Sequence, residues 1–507
     1  MSAKCRKKID ISRTYNKLLF KFSMTKTMKK KNNIIGRSEE CKRLDRCMRS
    51  NSAQLVVVYG RRRVGKTFLI NEFFENKFAF KLTGVYGQKR KEQLQKFTAE
   101  LNRRSNNKYC IPKDWIEAFN YLREYMVGLD PNNKQVVFLD ELPWLDGKKS
   151  GFLPAFEYFW NDYASTKHNV IFVLCGSATS WMEEKISKNK GGLFNRQTCR
   201  LYLEPFNLHE VEEFLTSRDI YWSRFEITEC YMIMGGIPYY LNLMDPEESL
   251  HQNIDRLFFK KKGELWDEFE HLYNTLFSNS KYYIEVVKVL SEKKSGLTRS
   301  EICDKIGSSK GGDISKILKN LSLSGFVVVC DYYGRKKKEA LYQLADYYTM
   351  FYFKYIEEHH GKDEHFWSNS VDNACRKAWE GLTFERLCKD HVKQIKHKLG
   401  ILGVLSDESS WFVKTDDDKG ISGAQIDLLI DRRDHVVSLC EIKYSISEYD
   451  IDKTYEANLR NKISTFSKVT NCKKTIQLVM ITTFGVKRNK YSGLISTQVL
   501  LDDLFQE

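Results

Sequence analysis

Proline is scarce in this chain of 507 residues: there are seven, and all lie between Pro112 and Pro246. The residues after 246 therefore lack the side chain that breaks helices and central strands, and this change of texture suggests a boundary near 246. No stretch of 18 apolar residues occurs, which argues against a membrane-spanning helix. The N-terminal segment also lacks the apolar core of a signal peptide. Thirteen cysteines are scattered without one CxxC pair, a pattern of reduced thiols in a cytosol rather than of a disulfide or zinc framework. The expectation is a soluble, cytoplasmic protein with no membrane partner. Internal repeats are absent, and low complexity is limited to short Lys/Arg runs. Acidic residues are outnumbered, 66 against 82 Lys plus Arg, giving a net charge of +16 and a pI near 9.0. That excess suits a polyanionic partner, although a lysine-rich proteome produces the same balance. The length exceeds what one hydrophobic core sustains, so several domains are expected. Residues 1–33 form a basic leader containing Met24 and Met28. The leader reads as disordered or as the product of an upstream start codon, with a nucleic-acid arm as the alternative.

What is present begins with Leu55 to Val58, a short apolar run that reaches glycine and opens into Gly60-Arg61-Arg62-Arg63-Val64-Gly65-Lys66-Thr67-Phe68. The spacing is that of a phosphate-binding P-loop. The run suits a buried parallel strand. Gly60 and Gly65 let the backbone amides curl around an anion. Lys66 is placed for the β- and γ-phosphates, and the Thr67 hydroxyl for Mg²⁺ at a helix N-terminus. Downstream, Val136 to Leu139 is an apolar strand ending in Asp140 and Glu141. Asp140 would hold Mg²⁺, and Glu141 would orient and deprotonate the attacking water. A third strand, Asn169 to Cys175, runs into Gly176-Ser177-Ala178-Thr179. Those hydroxyls suit a γ-phosphate sensor, and a helix cap equally well.

Together these segments, with Ile34-Ile35-Gly36-Arg37 before them and Gly235-Gly236-Ile237-Pro238-Tyr239-Tyr240-Leu241 after, resemble the archaeal-type ATPase family of the AAA+-related STAND group. The resemblance implies ATP as ligand. It places Ile35, Gly36 and Arg37 near the adenine and Pro238 in a helical lid that reports nucleotide state. Arg196, in Gly-Leu-Phe-Asn-Arg, matches an arginine finger acting in cis or across a subunit interface. Self-association on ATP binding is a further expectation.

Residues 297–345 fit a winged helix. Arg299 to Ile306 forms one helix and Ile314 to Leu323 a candidate recognition helix. Strands Phe326 to Cys330 and Ala340 to Leu344 flank a wing at Tyr332 to Lys338. The Lys-rich tip suits a phosphate backbone, with DNA favoured over RNA. In STAND proteins such modules also pack on their own ATPase lid, so both readings stand. Phe351-Tyr352-Phe353 reads as core.

The last region returns to strands, with Ile426 to Ile430 and Val436 to Ile442 flanking a polar turn. Asp427 lies in Gln-Ile-Asp-Leu-Leu-Ile, and Leu439-Cys440-Glu441-Ile442-Lys443 follows a polar turn. Glu441 and Lys443, two apart on a strand, share a face, and an antiparallel neighbour can bring Asp427 beside them. The set resembles the PD-(D/E)xK nuclease superfamily, with Ile426 standing where the name has proline. The resemblance implies Mg²⁺ held by Asp427 and Glu441, a water oriented by Lys443, and Glu385, from Trp379 to Glu385 on a helix, completing the metal shell. Relatives that bind nucleic acid without cutting are the alternative.

The expected fold is α/β: a P-loop AAA+-like ATPase with helical lid over 34–245, a helical linker and winged helix over 246–360, and a restriction-endonuclease-like domain over 361–507. Two functions follow, an ATP-regulated, metal-dependent nuclease or a STAND-type nucleotide switch without cleavage. A helicase or loader ranks last, because no helicase motif accompanies the two Walker elements.

Overall fold

A computed structural model describes residues 34–187, 192–193, 195–277, 279–293, 295–307, 311–330, 332–334, 340–418 and 421–507. The basic leader and most of the wing tip lie outside them. The chain forms two compact units. The first runs to Tyr59 and includes Gly65–Gly176 and Glu183–Tyr202; the second holds Gly60–Val64, Ser177–Met182 and Leu203–Glu507. The proline boundary at 246 falls inside the second unit.

The first unit is built on five strands: β1 (Gln54–Gly60), β2 (Phe80–Thr83), β3 (Gln135–Asp140), β4 (Val170–Gly176) and β5 (Cys199–Leu203). Their order is β2-β3-β4-β1-β5. The pairs β1–β4, β3–β4 and β2–β3 are parallel. Every residue of β1, β3 and β4 is buried. Their valine, leucine and phenylalanine runs suit strands covered on both faces. The edge strands are less buried, and β5 alternates buried and exposed residues, as one-sided strands do. Helices Arg90–Arg104, Trp115–Val127 and Phe152–Asp162 supply an aromatic cluster. Its rings include Trp115 and Phe152, edge to face at 4.8 Å, and Phe119 stacked on Phe159 at 5.1 Å. Phe159 packs in turn on Phe172 of β4.

In the second unit, short helices follow Leu203 up to Ser291. The helices Arg299–Ile306 and Gly311–Leu323 precede an antiparallel hairpin of β6 (Val327–Cys330) and β7 (Leu341–Leu344). The C-terminal sheet has the order β12-β11-β10-β9-β8. It comprises β8 (Ser406–Val413), β9 (Ala424–Arg432), β10 (Val436–Lys443), β11 (Thr475–Thr482) and β12 (Thr497–Leu500). β8, β9 and β10 run antiparallel, and β10, β11 and β12 parallel. Parallel β10 and β11 need a crossover, supplied by the helix Lys453–Thr470, while the helix Ala374–Asp390 packs on β10. Among the described residues, no helix is long and apolar enough to cross a membrane.

Candidate nucleotide and carboxylate sites

β1 and β3 end at the P-loop and at Asp140, with β4 between them. The Thr67 hydroxyl donates to Asp140 Oδ2 at 2.9 Å, and Asp140 Oδ1 accepts the Glu141 amide at 3.0 Å. Lys66 and Asp140 are both buried. Gly60 is required by close approach: a Cβ there would meet Leu203 O at 2.3 Å, and its φ is +144°. Glu141 adopts a left-handed conformation, φ 48°, at the start of the short helix Leu142–Leu145. Ser177 and Thr179, which follow β4, are buried.

The three P-loop arginines have protein partners, all within the second unit. Arg61 is buried against Asp346 in an ion pair, with its guanidinium 4.8 Å from the Phe326 ring centre. Burial alone would lower the Arg61 pKa, and the Asp346 carboxylate more than reverses that. Asp346 in turn accepts the Thr349 amide at 3.0 Å and its hydroxyl at 2.5 Å, capping the helix Tyr347–Phe351. Arg62 donates to the Thr275 hydroxyl. Arg63 pairs with Glu268 at 2.6 Å and lies over the Tyr239 ring at 4.0 Å. Glu268 also accepts the Tyr240 hydroxyl at 2.7 Å. Burial raises its pKa, and Arg63 opposes the rise. The carbonyl of Arg63 accepts the Tyr239 amide at 3.4 Å, so the segment opened by Pro238 touches the loop.

The other residues singled out for nucleotide binding are spread along the chain. Ile35, Gly36 and Arg37 lead into the helix Ser38–Arg49 of the first unit, Arg37 with φ 59° and an ion pair to Glu40 at 3.8 Å. Phe68 is 51 % exposed. Arg196 is exposed in a turn closed by its amide on Leu193 O.

The carboxylate site lies wholly in the second unit. β10 pairs with β9 so that Cys440 faces Leu428. One step further brings Glu441 opposite Asp427, with Lys443 on the same face. Asp427 Oδ2 accepts the Ile442 amide at 3.1 Å. Glu441 is held by three donors: Lys443 Nζ at 2.9 Å, the Tyr455 hydroxyl at 2.7 Å and Lys462 Nζ at 2.6 Å. Burial and the neighbouring Glu441 raise the Asp427 pKa. Burial pushes Glu441 up as well, but Lys443 and Lys462 outweigh it and hold the carboxyl below its usual range. Glu385, on the helix Ala374–Asp390, is pushed up to about 7 by burial and by Asp427, against Lys389 and Lys443. The four expected residues thus form one electrostatic cluster. Tyr455 and Lys462 were not singled out from sequence. They stand seven residues apart on the helix Lys453–Thr470, two turns along one face, and that spacing is the one signal they offered.

The donor chemistry suits Mg²⁺ at both places. Thr67 and Asp140 offer adjacent oxygens, which is what Mg²⁺ takes while keeping several waters. Asp427 is a buried carboxyl whose ionisation is penalised, a cost that a cation relieves. Among the described residues no group of three or more His, Cys, Asp or Glu side chains gathers as a metal cage.

Residues 34–244 match the family model of an ATPase domain predominantly from Archaea. An uncharacterized protein of Methanocaldococcus jannaschii is 24% identical over 429 residues, covering 83% of this chain and 90% of that protein. An uncharacterized ATP-binding protein of the same organism is 54% identical over 44 residues, 9% of this chain and 75% of that one. Among solved structures, a Walker-type ATPase of Pyrococcus abyssi aligns at 18% identity and a TM-score of 0.44, over 64% of this chain and 96% of that one. ORC2 of Aeropyrum pernix aligns at 14% identity and 0.41, over 63% and 94%. Residues 34–244 are an ATPase domain of that archaeal family.

Proposed function

We propose that this chain, an archaeal-type ATPase over residues 34–244, binds and hydrolyses ATP and uses a C-terminal Mg²⁺-dependent nuclease site on nucleic acid, DNA more than RNA. Lys66 and the loop amides bind the phosphates, Thr67 and Asp140 are the residues that would hold Mg²⁺, and Glu141 orients the attacking water. At the second site Asp427 and Glu441 would hold the metal, Lys443 orients water and meets negative charge, and Glu385 takes or gives a proton near neutral pH. Tyr455 and Lys462 keep Glu441 ionised and fixed in place. Bound Mg²⁺ supplies charge neutralisation at phosphate and acidifies its water. The helices Arg299–Ile306 and Gly311–Leu323 with the β6–β7 hairpin act as a winged helix, and Arg196 would serve as a finger in cis or across a subunit interface. The observation that carries the nuclease reading is the register that sets Asp427, Glu441 and Lys443 on one face, with Glu385 electrostatically coupled to them.

The link between the two activities is the arginine run. Arg61, Arg62 and Arg63 anchor the phosphate loop to side chains between Tyr239 and Asp346, so a loop that tightens on phosphate pulls on the segment leading to the nuclease-like region.

One observation favours the second reading, a nucleotide switch that does not cut: both oxygens of Glu441 are already engaged by Tyr455, Lys443 and Lys462. The deciding experiment incubates purified protein with plasmid, single-stranded DNA and RNA, with Mg²⁺ or Mn²⁺, with and without ATP, beside Glu441→Ala and Lys66→Ala. The nuclease predicts cleavage lost in Glu441→Ala with ATP binding kept, and labelled-nucleotide binding lost in Lys66→Ala. Nucleotide binding and turnover with no cleavage of any substrate would establish the switch instead.

A further inference from the structure

A cavity of about 1100 Å³ lies entirely within the second unit, and Glu385 of the carboxylate site is in its wall. Resting on the nuclease reading above, we infer that this cleft seats a single polynucleotide strand and leads it to Asp427 and Glu441. Four observations converge on it.

First, the cleft reaches the chemistry. Glu385 lines it and feels the charges of Asp427 and Lys443. Gln425, also in the lining, stands two residues before Asp427 on β9. Second, its charge suits phosphate. Among the described residues, Lys354, Lys389 and Lys414 line it without a salt bridge within 4 Å, whereas Lys293 is spent on Glu301 at 2.8 Å. Cations that no salt bridge occupies are the groups that neutralise a backbone.

Third, its walls offer rings. Phe353, Phe412 and Tyr332 line it, with Tyr332 edge-on to Phe412 at 5.3 Å. Aromatic faces beside a basic groove hold successive bases without reading sequence. Fourth, the size is limited. A volume of this order is that of a small-ligand site, enough for a few nucleotides of one strand and too little for a duplex. One wall is fixed by the hairpin. The Tyr333 amide donates to Ser410 O at 3.0 Å, and Tyr332 bridges to Ser410 of β8. This contact covers part of an edge strand that would otherwise invite pairing.

The test is binding without cleavage. Fluorescein-labelled 12-nucleotide DNA and RNA strands and a blunt DNA duplex are titrated by anisotropy in EDTA across a salt series. The single strands are expected to bind more tightly than the duplex. Lys354→Glu/Lys389→Glu/Lys414→Glu should weaken strand binding by more than about tenfold and lower the salt slope by about 2. The Lys→Arg triple variant should retain binding, which separates loss of charge from misfolding. DNA against RNA strands reports which backbone is preferred. Unchanged affinity in the Lys→Glu variant, or duplex binding as tight as strand binding, overturns the inference. Strand binding that behaves as expected without cleavage in Mg²⁺ overturns the nuclease reading and leaves the strand site standing.

Discussion

The Arg61–Asp346 pair offers a severe test, because its two halves are separated by 285 positions and both are buried. Replacing Asp346 with Asn keeps the side chain's size. The Asn oxygen can still accept from Thr349, as Asp346 does at 3.0 Å, so the helix cap survives. What Asn cannot supply is negative charge, and its amide hydrogens would face the Arg61 guanidinium. Removing one partner of a buried ion pair strands the other charge in low dielectric, at a cost of about 3–5 kcal/mol. Replacing both partners by apolar residues of similar volume removes the desolvated charges together and is close to neutral. We therefore expect Asp346→Asn to lower the unfolding free energy by about 3 kcal/mol or more, and Arg61→Met/Asp346→Asn, which keeps the acceptor for Thr349 and removes the stranded cation, to recover most of that loss. The assay is urea denaturation followed by tryptophan fluorescence, in a double-mutant cycle with Arg61→Met. The recovered double variant, stable but without the anchor, should bind ATP with altered affinity. A cost below about 1 kcal/mol for Asp346→Asn, or a double variant as unstable as the sum of the singles, refutes the anchoring argument.

Two further expectations follow from local geometry. The Glu385 pKa is raised from the ordinary carboxyl value to about 7, so the folded state holds that proton more tightly than the unfolded chain. The resulting stabilisation is complete below the unfolded carboxyl pKa, near 4.3, and is lost as pH rises through about 7. In EDTA the wild-type melting temperature should therefore fall more between pH 5.5 and 8 than that of Glu385→Gln, and parallel curves would remove Glu385 from the cluster. At Gly236 a Cβ would meet Phe206 O at 1.8 Å, where the Phe206 amide donates to Gly236 O at 2.6 Å. Gly236→Ala should break this contact and lower the melting temperature measurably, and a wild-type melting curve would contradict the packing.

How much of this was legible in the sequence depended on the range of the physics involved. The P-loop can be read because its spacing is a backbone requirement, local to eight residues. The central strands can be read because burial on both faces demands continuous apolar runs such as Leu55 to Val58 and Val136 to Leu139. β9 and β10 were expected at Ile426 to Ile430 and Val436 to Ile442, and they extend over Ala424–Arg432 and Val436–Lys443. Apart from Ala424, the added residues are polar ends that only strand pairing recruits. β8 was hard to anticipate, since Ser-Asp-Glu-Ser-Ser opens it and it earns its strand character from β9 alongside. The partners of the chemistry were hidden for a related reason. Nothing near Arg61 in sequence marks Asp346 as its counter-charge, and nothing near Glu441 marks Lys462. Each becomes meaningful only once packing has excluded water, because a carboxylate and an ammonium attract weakly across solvent and strongly in a buried setting. The same exclusion of water gives the pair Asp427 and Glu441 opposite pKa shifts on adjacent strands. The carboxyl reached by Lys443 and Lys462 stays ionised, and its neighbour bears the cost. A site with one carboxylate fixed and one poised to gain from a cation has its electrostatics arranged before any metal arrives. Its dependence on metal is accordingly expected to sit with Asp427 more than with Glu441: Asp427→Asn should raise the Mg²⁺ concentration that half-maximal cleavage needs, whereas Lys462→Ala should raise the Glu441 pKa and shift cleavage to higher pH.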